Sequence, residues 1–212
     1  MTNERPSRRG RKTLSPERVE IVRGQILDAS KSLFSQDGYE AVSMRNIASA
    51  VGVSPMALYR YFPSKRAILV HIWDELFTRA YALSREAAEK HSEPQAAVLA
   101  YCKAFVAYWC AHRDYYKMVY LNIDPGSEDQ QFFANTQLMV EQYRYFTELL
   151  LSAGVKGRDV IGVSQQLLCA LHGVCHSVIT IPEVRWQSEM QLTTGLVKSV
   201  LSQHQPSAAP ER

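Results

Sequence analysis

With 212 residues, 46% of them hydrophobic and 21% charged, the chain is sized for one medium or two small globular domains. This excludes a large multidomain enzyme and the disordered and fibrous classes. A net charge of +3 is too small by itself to imply a polyanionic partner, but it is unevenly spread: residues 1–66 hold 12 basic and 6 acidic side chains, residues 67–212 hold 12 and 15. The four cysteines (Cys102, Cys110, Cys169, Cys175) contain no Cys-x-x-Cys pair. A chain of this length needs no disulfide framework, so reduced thiols in a cytoplasmic protein are expected. The five basic residues within Met1–Lys12 have no apolar segment behind them, which is not the pattern of a secretory signal.

The first residues are polar and basic and are interrupted by Pro6, Gly10 and Pro16, so residues 1–16 read as a disordered basic arm. From Glu17 to Asp37 apolar residues recur at Val22, Ile26, Leu27, Ala29, Leu33 and Phe34, the stripe of an amphipathic helix that Gly38 ends. Ser43 is placed to cap a short helix carrying Ile47, Ala48 and Val51 on one face, which stops at Gly52. Ser54 and Pro55 then start another. A helix, a tight turn and a helix therefore occupy 43–61. Pro63 and Ser64 start a long helix with Ile68, Leu69, Ile72, Trp73, Leu76 and Phe77, running to Glu89. Further helices are expected at about 95–111, 114–122, 128–153, 158–180 and 187–203, with Asp124-Pro125-Gly126 and Gly154–Gly157 as breaks. No segment has strand periodicity, so the chain is expected to be all-α. Val160–Pro182 lacks a charged residue for 23 positions, but Gln165, Gln166, His172, His176 and Ser177 make a membrane span expensive and a buried helix the better reading.

Two short helices about a glycine turn, within the basic region, make a unit able to read DNA: a short helix enters the major groove and helix N-termini offer N–H groups to phosphates. Gly52-Val53-Ser54, then Leu58-Tyr59-Arg60-Tyr61-Phe62-Pro63-Ser64-Lys65, with Ile26, Leu27, Leu33, Phe34, Gly38 and Tyr39 before them, resemble the N-terminal domain of TetR-family transcriptional regulators over roughly Arg23–Ile72. Ser30 stands where the family usually has alanine, and Arg60 where a second aromatic is common. The resemblance implies that Ser43, Tyr61 and Lys65 hold phosphates. It also implies that Ser54, Pro55, Met56 and Tyr59 face the groove, that Arg45 reaches a base edge or phosphate, and that Arg60 adds a phosphate contact. Phe62, Leu58, Ile47 and Val51 are core. Arg5, Arg8, Arg9, Arg11 and Lys12 either enter the minor groove or form a solvated tail.

The resemblance further implies an N-terminal three-helix helix-turn-helix domain (17–66) joined by a long helix to a ligand-binding and dimerisation domain (67–204), with a disordered tail at 205–212. One helix-turn-helix reads few base pairs, so a homodimer on a palindromic operator of double-stranded DNA is expected, paired through the last two helices. His172-Gly173 is similar to the His-Gly step of one C-terminal subclass, although Leu171 replaces its usual tryptophan. Between the two ends lie Tyr101, Phe105, Tyr108, Trp109, Tyr116, Met118, Tyr120, Phe132, Phe133, Met139, Tyr143 and Phe146. As a set, with His172, these suit an apolar pocket for a small effector that releases DNA, although each aromatic taken singly reads as core. In the family the occupant moves the long connecting helix. Cys169, His172 and His176 share a face of one helix but lack a fourth ligand, so no metal or cofactor is expected. No phosphate loop, His-Glu-x-x-His or nucleophile elbow is present, so no enzyme is expected.

Overall fold

The computed structural model describes residues 15–121 and 137–204, and every regular element among them is a helix. Most of the basic arm, the tail at 205–212, the Asp124-Pro125-Gly126 break, the expected helix start at 128, Phe132 and Phe133 lie outside the described residues. Two compact units divide between Ile72 and Trp73. This is six residues beyond the boundary expected at 66, because Ile68, Leu69 and Ile72 are buried at 5% exposure or less and complete the first unit's core.

The first unit holds α1 (Pro16–Asp37), α2 (Met44–Val51), α3 (Pro55–Tyr61) and the start of α4 (Lys65–Glu89). Each start follows from a hydroxyl that accepts an otherwise orphaned N–H. Ser15 accepts from Arg18 at 3.3 Å, Ser54 from Ala57 at 3.1 Å and Ser64 from Ala67 at 3.1 Å. At α2 the bond is reciprocal: Asn46 N donates to Ser43 Oγ at 3.2 Å, and Ser43 N donates to Asn46 Oδ1 at 2.9 Å. Gly52 closes α2 at φ 73°, ψ 29°, and Val53 N reaches back to Ala48 O at 2.9 Å. Around these helices Ile26, Phe34, Val42, Ile47, Ala48, Leu58 and Phe62 are almost completely buried. Ser30, where alanine is usual, is fully buried at no polar cost, since its hydroxyl donates to Ile26 O at 2.7 Å.

The second unit continues α4 and adds α5 (Pro94–Ala111), α6 (Arg113–Tyr120), α7 (Gln137–Ser152), α8 (Val160–Thr180) and α9 (Glu189–Gln203). Helix α5 packs on α7, α8 and α9, while α8 packs on α7 and α9. Its core gathers Val98, Cys102, Phe105, Trp109, Leu150, Val163, Leu167, Cys175 and Val197. The uncharged α8 buries one face and leaves Ile161 and Leu168 about half exposed. No helix among the described residues is long and apolar enough to cross a membrane.

Gly52 has open space where a side chain would go, so a substitution there acts through the left-handed backbone alone. Gly52→Ala is expected to lower stability by about 1–2 kcal/mol, and Gly52→Asn by less, as read by urea denaturation.

Candidate nucleic-acid interface and ligand cavity

Helix α3 has seven residues, too few for a helix to persist in isolation, and it is fixed by its anchors. Leu58 is fully buried and Phe62, its C-terminal cap, is 1% exposed. Arg23 of α1 adds a lock at the same end. Its Nη1 donates to Tyr61 O at 2.8 Å, its guanidinium lies 4.4 Å from the centre of the Phe62 ring, and its Nη2 is 3.2 Å from His71 Nε2. With Leu58 held inward, the opposite face turns out: Met56 is 80% exposed and Tyr59 54%, beside exposed Ser54, Pro55 and Arg60. Ser43 and Arg45, at the start of α2, are exposed too.

Two residues assigned to phosphates are partly withdrawn. Tyr61 is half-buried and its carbonyl is the acceptor for Arg23. Lys65 Nζ donates to Tyr39 O at 2.7 Å and sits 4.0 Å above the Tyr39 ring, tying the start of α4 to the turn between α1 and α2. The backbone lock by Arg23 was not visible in the sequence, because α1 periodicity says which face is buried and not what a long side chain on its edge will reach.

In the second unit the described residues border a partly open cavity of about 420 Å³. Its wall is Tyr81 of α4, Tyr101 and Phe105 of α5, Met139, Val140, Gln142, Tyr143 and Phe146 of α7, and Ser164, Gln165, Leu168 and Leu171 of α8. Of the expected ligand residues, Tyr101, Phe105, Met139 and Tyr143 therefore come together on one space. Polar groups are few, and two hydroxyls are engaged: Tyr81 OH donates to Met139 Sδ at 3.6 Å, and Ser164 Oγ lies 2.7 Å from Ile161 O and 3.2 Å from Tyr143 OH. Burial pushes the Tyr81 hydroxyl up to about 12 and raises Tyr101 further, so both remain neutral donors at pH 7.

Tyr108, Trp109, Tyr116, Tyr120 and His172 do not line that space. They form a closed aromatic cluster centred on Trp109, which is fully buried. Trp109 meets Tyr108 at 5.2 Å, Tyr120 at 5.4 Å, Phe77 at 5.6 Å and Tyr116 at 6.0 Å between ring centres, mostly edge to face. The His172 ring stands 4.7 Å from Tyr120 and 5.6 Å from Phe105, and its backbone carbonyl accepts from Tyr116 OH at 3.3 Å. Burial lowers its pKa to about 4, which keeps the imidazole neutral. Close by, Cys110 and Cys175 share a thiol hydrogen bond that lowers the first and raises the second. All four cysteines are free thiols. Among the described residues no three His, Cys, Asp or Glu side chains gather to hold a metal.

Residues 26–72, spanning the Leu58 anchor and the outward face of α3, match the family described as bacterial regulatory proteins, tetR family. Over these residues the chain is similar to the DNA-binding domain of that family. The chain is 42% identical over 72 residues to the HTH-type transcriptional repressor KstR of Mycobacterium tuberculosis, covering 34% of this chain and 33% of that one. The chain thus aligns with about a third of the length of such curated relatives. The fold extends further. MexZ of Pseudomonas aeruginosa, described as a key repressor responsible for antibiotic resistance, superposes with a TM-score of 0.67 at 20% identity over 89% of this chain and 97% of that one. A tetR-family regulatory protein from Rhodococcus RHA1 gives 0.65 at 16% identity over 88% and 98%. At such identities the likeness concerns the fold, and the tetR-family match itself covers residues 26–72.

Two outcomes follow from this packing. Trp109→Ala removes a fully buried ring and should destabilise the protein by about 3–5 kcal/mol, measured by chemical denaturation. His172 binds its proton near pH 6.5 when unfolded and near 4 when folded, so stability is fully present above about 6.5 and is lost as pH falls toward 4. Denaturation midpoints taken at pH 7 and pH 5 should show that loss, and His172→Phe should reduce it.

Proposed function

We propose that this chain is a ligand-responsive transcriptional regulator: a cytoplasmic homodimeric repressor that binds a palindromic operator through α2 and α3 and is released by a small, mostly apolar effector. The observation that carries this reading is the outward face of α3, where Pro55, Met56 and Tyr59 project from a helix whose only large buried side chain is Leu58. An isolated monomer would have no use for such apolar exposure, but the thymine methyl and base edges of a major groove accept it. Ser43, Ser54, Arg45 and Arg60 are the proposed neighbours on phosphates or base edges, while Tyr61 and Lys65 contribute partly by holding the loop and the end of α3.

Homodimer formation is supported by the apolar side chains left open on the last two helices, Ile161 and Leu168 of α8 and Leu196 of α9. A two-fold pairing of that surface presents two recognition helices to two half-sites. Effector binding is supported by the cavity. A molecule that prefers the conformation unable to span both half-sites weakens DNA binding by the same factor, and a coupling of about 1–3 kcal/mol is enough for induction. Because α4 carries both Lys65 and the cavity residue Tyr81, it is the proposed carrier of that coupling.

Selection of bound duplexes from a random pool tests the reading. The expected result is a palindrome with half-sites one helical turn or a multiple apart, bound with an affinity that falls steeply as salt rises. Sequence-independent binding would overturn it. Tyr59→Ala should lower affinity for the selected site by about 1–3 kcal/mol without changing the melting temperature, since Tyr59 is 54% exposed.

A further inference from the structure

Resting on the cavity as the effector site, the wall's own chemistry narrows what can occupy it. The hydroxyls of Tyr81 and Ser164 already have partners within the wall, Met139 Sδ and Tyr143 OH. Gln142 does not complete its set: the residue is 8% exposed, and its carbonyl oxygen Oε1 is shut off from water without any hydrogen-bond donor. A buried polar atom left in that condition is rare and costly, and whatever supplies the missing donor recovers the loss. Among the described residues no Lys, Arg, Asp, Glu or His side chain lines the space. Arg85, one turn beyond Tyr81, lays its guanidinium 4.1 Å above the Tyr145 ring instead. A carboxylate or ammonium would therefore enter without a counter-charge, and an uncompensated buried charge is strongly disfavoured. A pure hydrocarbon would leave the amide carbonyl as unsatisfied as before.

We propose that Gln142 sets the specificity of the cavity, and that its occupant is an uncharged, largely apolar molecule bearing a hydrogen-bond donor, a hydroxyl or an amide N–H, that the Gln142 carbonyl accepts. The terminal torsion of glutamine is broad and soft, so a small turn of the amide brings the oxygen to the cavity surface. A space of about 420 Å³ admits a molecule of ordinary metabolite size.

The test uses the full chain and calorimetric titration with 1-decanol, its isostere nonyl methyl ether, which has no donor, and decanoate at pH 7. The alcohol should bind at least about tenfold more tightly than the ether, equivalent to about 1.4 kcal/mol, and more tightly than decanoate. Gln142→Met keeps the length of the side chain and removes the amide. It should bind both neutral probes and bring their affinities to within about twofold, with a melting temperature no lower than that of the parent chain. An alcohol and ether that bind the parent chain equally, or a preference that survives in Gln142→Met, would overturn the assignment of Gln142 while leaving the cavity as a binding site. Failure of all three probes to bind the parent chain would overturn the cavity reading and this inference with it. The comparison of alcohol with ether on the parent chain decides the point even if the variant folds poorly.

Discussion

A seven-residue helix cannot hold itself together in water, and this constraint organises the whole first unit. Leu58 is the side chain through which α3 is held, and Phe62 and the Arg23 guanidinium secure the end of the helix. The left-handed turn at Gly52 sets the direction in which α3 leaves α2. Because the inward side is satisfied by so few contacts, nearly all the rest of the helix is free to face a partner. A longer helix would have needed more buried residues and would have offered proportionately less. The engagement of Lys65 with Tyr39 belongs to the same economy: a cation at the start of α4 is first an anchor for the loop ahead of α2.

The second unit solves a different problem, which is how to use many aromatic side chains without collapsing all of them. Around Trp109 the rings meet edge to face at 5 to 6 Å and seal the indole from solvent. Immediately beside it Tyr101, Phe105, Tyr143 and Phe146 pack against only part of their surroundings and border an open volume. Phe105 belongs to both, facing Trp109 and His172 on one side and the cavity on the other. The neutral His172 of the cluster and the high hydroxyl pKa values of Tyr81 and Tyr101 on the cavity wall have a common origin in burial.

Much of this was legible in the residues. The Ser43, Ser54 and Ser64 caps, the Gly38 and Gly52 stops and the stripe through Ile26 and Phe34 fixed the first three helices to within a residue or two, because capping and amphipathicity are local. Met56 and Tyr59 were placed on the outward side by the family resemblance rather than by periodicity, and both are exposed.

What periodicity could not supply was the partner of each buried face. Trp109 and Tyr101 both lie on α5, about two turns apart, yet one is sealed among rings and the other borders open space. That difference depends on which residues of α4, α7 and α8 arrive opposite them, and Gln142, Ser164 and Tyr81 became part of a wall only when those helices met. Arg23 and Lys65 tell the same story at shorter range, since a flexible cation is assigned by what it can reach in space. The sequence by itself determined where helices begin and end and which side of each is apolar, because those depend on neighbours a few positions away. The tertiary structure decided which apolar surfaces close on one another and which remain as a cavity, because packing is settled between residues far apart along the chain.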